Sequence, residues 1–206
     1  MIASRLWQPS AARGATSRAR SEADQVLSEP LRTLRLTLRQ PSVADIDAIY
    51  AIHSDPRACE HNPSDMLGSR QEAAELLGRW NTHWSERGYG YFSIDLPDAD
   101  GPIGFCGIKR VRFRGDQVLN LFYRLDPDFW GQGFASEAAE TVVDYADRRL
   151  PGLAMIAKVR PQNTASHRIV TKLGLVKRPS LGEVGEDGFE DVYTRRWPVG
   201  DGGSES

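Results

Sequence analysis

Between Leu119 and Ala146 the chain reads LNLFYRLDPDFWGQGFASEAAETVVDYA, the stretch that most restricts its fold. An alternating apolar run ends at Asp126-Pro127, and Gly131 and Gly133 then precede a segment with helical periodicity. Glycines let backbone approach a ligand closely, and a helix starting at Phe134 or Ala135 presents unpaired N–H groups at its positive dipole end. That arrangement suits an anion, above all a phosphate. A dinucleotide fingerprint would need glycine where Ser136 stands and an acidic residue about 20 positions on. None occurs between Asp147 and Glu183. A P-loop requires a Gly-Lys pair, which the chain lacks. What stays open is a phosphate cradle of another kind, or a tight strand-to-helix turn with no ligand.

The flanking pattern fills out a single domain. TLRLTLR from Thr33 alternates Leu34, Leu36 and Leu38 against polar residues and predicts a first strand. Two capping pairs, Ser42 with Asp45 and Ser69 with Glu72, predict two helices, the second burying Ala73, Leu76, Leu77, Trp80 and Trp84. YGYFSIDL, IGFCGIKRV and Val118 to Leu125 predict an antiparallel meander. After the glycine turn and its helix come a strand in LAMIAKV, a short helix in NTASHRIVTKLG stopped by Gly174, a turn at GEDG and a last strand over Val192 to Trp197. The expected domains are a disordered or targeting-like extension over 1–30, a folded unit over 31–198 and a disordered tail over 199–206. The first 21 residues hold Arg5, Arg13, Arg18 and Arg20 and no acidic residue, as in transit peptides and in many unstructured extensions.

Composition removes several classes. A net charge of -2 gives no global basic field for nucleic acid. Cys59 and Cys106 lie far apart, so neither a disulfide framework nor a zinc site is signalled, and a reducing cytoplasm fits. His53, His61, His83 and His167 show no metal-ligand spacing, so no metal is expected. No run is long and apolar enough to predict a membrane span.

Two separated motifs carry a resemblance: YRLDPDFWGQGFASEA, and NTASHRIVTKLGL about 30 residues later. Together they resemble the GNAT superfamily of acyl-CoA-dependent N-acyltransferases, and most nearly its Rim-type branch, which acetylates ribosomal-protein N-termini and other amines. The matching positions are Tyr123 to Leu125, Phe129 to Ala135, Asn163, Ser166 and Lys172 to Leu175. The resemblance spans roughly residues 33 to 197. It implies an α+β fold with a mixed, mostly antiparallel sheet of six or seven strands, splayed at the acyl-CoA site, and about four helices. It implies acetyl-CoA as cosubstrate, its pyrophosphate on the backbone of Gly131, Gln132, Gly133, Phe134, Ala135 and Ser136. The pantetheine arm would run along Tyr123, Arg124 and Leu125 and be held by Asn163, with Trp130 packing the turn.

The same resemblance places the Ser166 hydroxyl near the sulfur as proton donor; capping of the last helix is an equally available role for Asn163 and Ser166. Many relatives carry a glutamate base three residues before the tyrosine, and Asn120 stands there. An amide takes no proton, so a water relay through Asn120, or Glu60 or His61, would serve instead. The expected acceptor is a protein or peptide N-terminus; a small-molecule amine such as an antibiotic or polyamine is the alternative, and a non-catalytic acyl-CoA-binding module a further one. The expected assembly is a monomer or homodimer.

Overall fold

A computed structural model describes residues 29–197. The expected extension, apart from Glu29 and Pro30, and the expected tail lie outside the described residues. Chain order is β1 (Leu31–Arg32), β2 (Thr37–Arg39), α1 (Ile46–Ser54), α2 (Arg70–Arg87), β3 (Tyr91–Asp95), β4 (Pro102–Phe113) and β5 (Asp116–Leu125). There follow α3 (Phe134–Arg149), β6 (Met155–Val159), α4 (Thr164–Lys172), β7 (Val176–Lys177), β8 (Glu183–Gly185) and β9 (Gly188–Arg195).

The strands run β1-β2-β3-β4-β5-β6-β9-β7 across the sheet, with β8 paired to β9. Every pairing is antiparallel except β5 with β6. The α+β class and mixed, mostly antiparallel sheet are as expected. The strand count among the described residues is nine rather than six or seven, because β1, β7 and β8 are two or three residues long. Pieces that short carry no readable alternation.

The first strand is a correction. Thr33 N–H bonds the Leu36 carbonyl at 2.9 Å, and the Leu36 N–H bonds Thr33 Oγ1 at 2.7 Å, so the chain reverses at Leu34 and Arg35. Alternation fails across a turn, because the period of two belongs to extended backbone alone. Leu34 is 97% exposed, whereas Leu36 and Leu38 are buried.

Both predicted caps form. Ser42 and Asp45 make a reciprocal capping box on a 3-10 turn that leads into α1. Ser69 accepts the Glu72 N–H, and Glu72 reaches back to the Gly68 N–H. Asp45 also receives both Arg39 terminal nitrogens at 2.7 Å and the Ser93 hydroxyl at 3.0 Å, and Arg39 in turn holds Asp95. This network fastens the start of α1 to β2 and β3.

Side chains of β5 separate two cores. Leu119, Leu121 and Leu125 join Ala138 and Val142 of α3, Val170 of α4 and Met155 of β6. Phe122 points the other way, against Ile49 and Ile52 of α1, Leu77 and Trp80 of α2 and Phe105 of β4. Helices α1 and α2 therefore cover one sheet face, and α3 and α4 the other. Each fully buried Leu, Ile or Phe contributes about 1.5–3 kcal/mol.

Candidate functional site

The parallel pair β5–β6 is in register at only two positions, Leu119↔Met155 and Asn120↔Ile156. Beyond them the strands diverge, because β5 stays paired to β4 as far as Leu125 while β6 follows β9. Leu121 to Leu125 thus present a backbone edge with no β6 partner. A cavity of about 510 Å³ occupies the gap. Trp130, Gly131 and Ala135 line it at one end, Asn163 and Ser166 at its side, and Asn120, Arg124 and Arg160 further round.

At the glycine turn, Gly131 and Gly133 have φ of 75° and 83°, the left-handed region that disfavours other residues. A Cβ added at Gly131 would meet nothing within 4 Å, so the backbone there borders open space. Gly133 caps α3 without a side-chain hydrogen bond, so no side chain takes the first-turn N–H groups. That geometry makes an anion cradle at a helix N-terminus, and it fits a pyrophosphate well. The predicted set divides here. Gly131 and Ala135 line the cavity; Gln132, Gly133 and Ser136 lie on the outer turn; the Phe134 side chain is buried in the core. Trp130 is half-exposed, and its indole N–H donates to the Leu125 carbonyl at 3.1 Å, pinning the turn to the free edge.

Arg35, at the reversal before β2, was legible only as an outward strand residue. Its guanidinium donates to the Gln132 carbonyl at 3.0 Å, pairs with Glu137 at 2.6 Å and lies 4.4 Å over the Phe134 ring. Glu137 sits in the first turn of α3, where its charge would repel an anion. Burial pushes its carboxyl up, but Thr33 and Arg35 outweigh that and hold it below the usual range. Arg35 neutralises it and leaves the helix end open to phosphate.

Along the cavity wall, Asn163 opens α4 and its side chain accepts the Ser166 N–H at 3.0 Å. Capping uses Oδ1 and leaves the amide N–H₂ as a donor. The Tyr123 hydroxyl donates to the Ser166 carbonyl at 3.4 Å. Burial pushes the Tyr123 phenol up to about 12, against the pull of the neighbouring Ser166 side chain. Both groups are neutral hydroxyls at pH 7.

The opposite end is walled by even-numbered β5 residues. Asn120 Oδ1 is buried with no hydrogen-bond partner among the described residues. Beside it the Tyr91 phenol is pushed up to about 12 by burial, partly offset by the Asn120 side chain. Arg124, predicted as part of the pantetheine edge, directs its side chain to this end: it is buried, pairs with Asp65 at 2.8 Å and approaches Cys59 Sγ at 3.6 Å. Glu60 and His61 also line the cavity, and His61 Nδ1 is buried with no hydrogen-bond partner among the described residues. Glu190 of β9, which no motif signalled, stands on the same wall, its carboxyl raised by burial despite Lys158 and Arg160.

A split mixed sheet with an anion-receptive helix start at one mouth and a polar chamber at the other is the architecture of an acyl-CoA-dependent transferase. The sequence profile of the acetyltransferase (GNAT) domain matches residues 35–176. An uncharacterized N-acetyltransferase, p20 of Bacillus licheniformis, is 31% identical over 167 residues, covering 80% of this chain and 93% of that protein. This chain belongs to the GNAT acetyltransferase family. The crystal structure of an acetyltransferase from Agrobacterium tumefaciens superposes with a TM-score of 0.68 at 26% identity, over 82% of this chain and 94% of that one. RimL, a ribosomal L7/L12 alpha-N-protein acetyltransferase solved with coenzyme A, shares the fold at a TM-score of 0.67 and 17% identity, over 81% and 97%. The protein is an N-acetyltransferase with acetyl-CoA as donor. Among the described residues there is no cluster of three or more His, Cys, Asp or Glu placed to hold a metal, and no helix long and apolar enough to cross a membrane.

Proposed function

We propose that this enzyme is a Rim-type N-acetyltransferase that acetylates the α-amino group of a protein or peptide in the cytoplasm. The observation that carries the reading is Asn120, a buried amide with an unpaired carbonyl oxygen at the place a base would occupy. An α-amine, with pKa near 8 against about 10.4 for lysine, reaches the site partly neutral. It asks for orientation more than for deprotonation, and Asn120 Oδ1 accepts one of its N–H groups directly or through a water. The acids on the cavity wall also argue against a polycation: Asp65 is held by Arg124, Glu190 lies 3.8 Å from Lys158 Nζ, and Glu60 alone has no ion pair among the described residues. The fold shared with RimL adds support to the branch.

In this reading the N–H groups of Gln132 to Ser136 hold the pyrophosphate, with Gly131 and Gly133 keeping the approach open. The free edge at Tyr123, Arg124 and Leu125 pairs with the pantetheine amides, and Asn163 donates to the same arm. The amine attacks the thioester carbon, the C–S bond breaks, the departing thiolate takes a proton from Ser166 or Tyr123, and the proton shed by the attacking nitrogen returns by way of solvent to restore that hydroxyl.

The test is thiol release from acetyl-CoA with three acceptor sets: free-N-terminus peptides, N-blocked lysine peptides and polyamines. Free N-termini should react fastest, with kcat/KM rising through the acceptor's pKa as it loses its proton. Fast polyamines or lysine peptides with inert N-termini would overturn the acceptor and leave the donor standing.

A further inference from the structure

Arg160, one residue past β6, is 7% exposed and lines the cavity. Its Nε and Nη1 are buried without a partner, Nη2 is not among the fully buried nitrogens, and no described residue gives the guanidinium a hydrogen bond or an ion pair. A buried cation left in that state is costly, and such a group calls for an explanation. The other cations on the cavity wall are satisfied: Arg57 by Asp55 and Asp128, Arg124 by Asp65, Lys158 by Glu183.

The surroundings fix which substrate Arg160 meets. Ala157 and Val159 pack into the core under α3 and α4, while Ile156 packs on the opposite face with Val118 and Val192. Alternation therefore turns Lys158 to the face of Asn120, Phe122 and Arg124, and Arg160, one residue past the strand, sets its guanidinium against Gly188 of β9. The register Val159↔Asp191, extended one residue, sets Arg160 opposite Glu190. Gly188 makes room for the guanidinium: a Cβ there would lie 2.8 Å from Arg160 Nη2. Glu190 does not discharge it, since its carboxylate forms no ion pair with Arg160 and its closest cation is Lys158 Nζ at 3.8 Å.

We infer that Arg160 is an acceptor-recognition site for a carboxylate, carried by the same molecule whose amine is acetylated. The inference rests on the acceptor reading above. A single planar fork that meets Glu190 only at longer range, with no hydrogen-bonded carboxylate, suits one carboxylate, which it meets with two parallel hydrogen bonds. A phosphate would call on further cations, and those on this wall are already paired.

Matched peptides with a free N-terminus and Asp or Asn at the second or third position should differ at least tenfold in kcat/KM in favour of Asp. Arg160→Gln should abolish that preference while leaving acetyl-CoA affinity unchanged by calorimetry. Binding of the N-acetylated Asp and Asn peptides to the CoA-loaded enzyme gives a readout that needs no turnover, and Asp should again bind tenfold tighter to the parent alone. Equal handling of Asp and Asn by the parent, or a preference that survives Arg160→Gln, overturns the subsite. So does a loss in Arg160→Gln that falls on acetyl-CoA affinity, since Arg160 would then serve a cofactor phosphate. Charge-selective binding without turnover of any peptide would sink the acceptor reading and keep the subsite; turnover without charge selectivity would do the reverse.

Discussion

Ser166 and Tyr123 touch, and each changes the other's role. The serine was legible as a proton donor from its place behind Asn163, while the tyrosine was legible only as strand edge; the fold sets the phenol against the Ser166 carbonyl. In the proposed mechanism these two hydroxyls stand where the thiolate departs, and either could donate. Ser166→Ala alone should slow single-turnover acetyl transfer by ~10-fold, the low end for acid catalysis, with acetyl-CoA affinity unchanged. Ser166→Ala with Tyr123→Phe should fall well below the product of the single effects, because each hydroxyl covers for the other. A double variant as fast as the parent under chemistry-limited conditions would remove both from proton delivery.

The element that matters most is the glycine turn with the start of α3, and its integrity depends on a distant segment. Residues 33 to 35 reach across to Gln132 and Glu137, so the turn before β2 supports the glycine turn and the start of α3 from behind. Arg35→Met keeps the apolar stem over Phe134 and removes the charge. It exposes the first turn of α3 to the full negative charge of Glu137, and acetyl-CoA should bind about fivefold more weakly, a loss of ~1 kcal/mol for one charge-assisted contact at a partly exposed site. Restoring the balance with Arg35→Met and Glu137→Gln together should recover most of the affinity. Titration calorimetry decides it: an affinity unchanged in Arg35→Met would make the contact purely structural. No periodicity announced this, because an arginine in an alternating run looks the same whether it faces solvent or folds back on a helix end 97 residues away.

Across the whole molecule, a buried histidine in the α1–α2 core lies beside Phe122 and Arg124 of the cavity wall. His53 stacks among Trp80, Phe105 and Phe122, and its Nδ1–H lies 3.0 Å from the Ile49 carbonyl. Burial first and the Arg124 charge second lower its pKa from 6.5 to about 3, despite the pull of the Ile49 carbonyl. The folded value is depressed, so the unfolded chain binds the proton first. The stability is complete above pH 6.5 and is lost progressively as pH falls toward 3. Each pH unit over which the ring must stay neutral costs about 1.4 kcal/mol at most. Urea midpoints should therefore fall steeply from pH 6.5 to 4.5 in the parent and less in His53→Phe, which keeps a ring in the cluster. Parallel acid limbs in the two proteins would exclude His53 as the cause.

What the sequence determined by itself were features encoded locally: the caps at Ser42 and Ser69, the strand periods of the meander, the left-handed glycines and the helix that follows them. Each depends on backbone sterics or on partners within a few residues. The family motifs pointed to the glycine turn, Asn163 and Ser166 as candidates for the same reason, since they occupy two short runs. Only the tertiary structure decided that TLRLTLR turns at Leu34, that Arg124 turns to Asp65 and Cys59, that Arg160 and Glu190 line the cavity, and that Arg35 braces the glycine turn. Those placements come from pairing across long separations, β5 parting from β6 after Asn120 and β9 crossing β6 at Asp191. A charged side chain's role there is fixed by which partners remain after every other cation and carboxylate has found one, a property of the assembled sheet that no stretch of sequence contains.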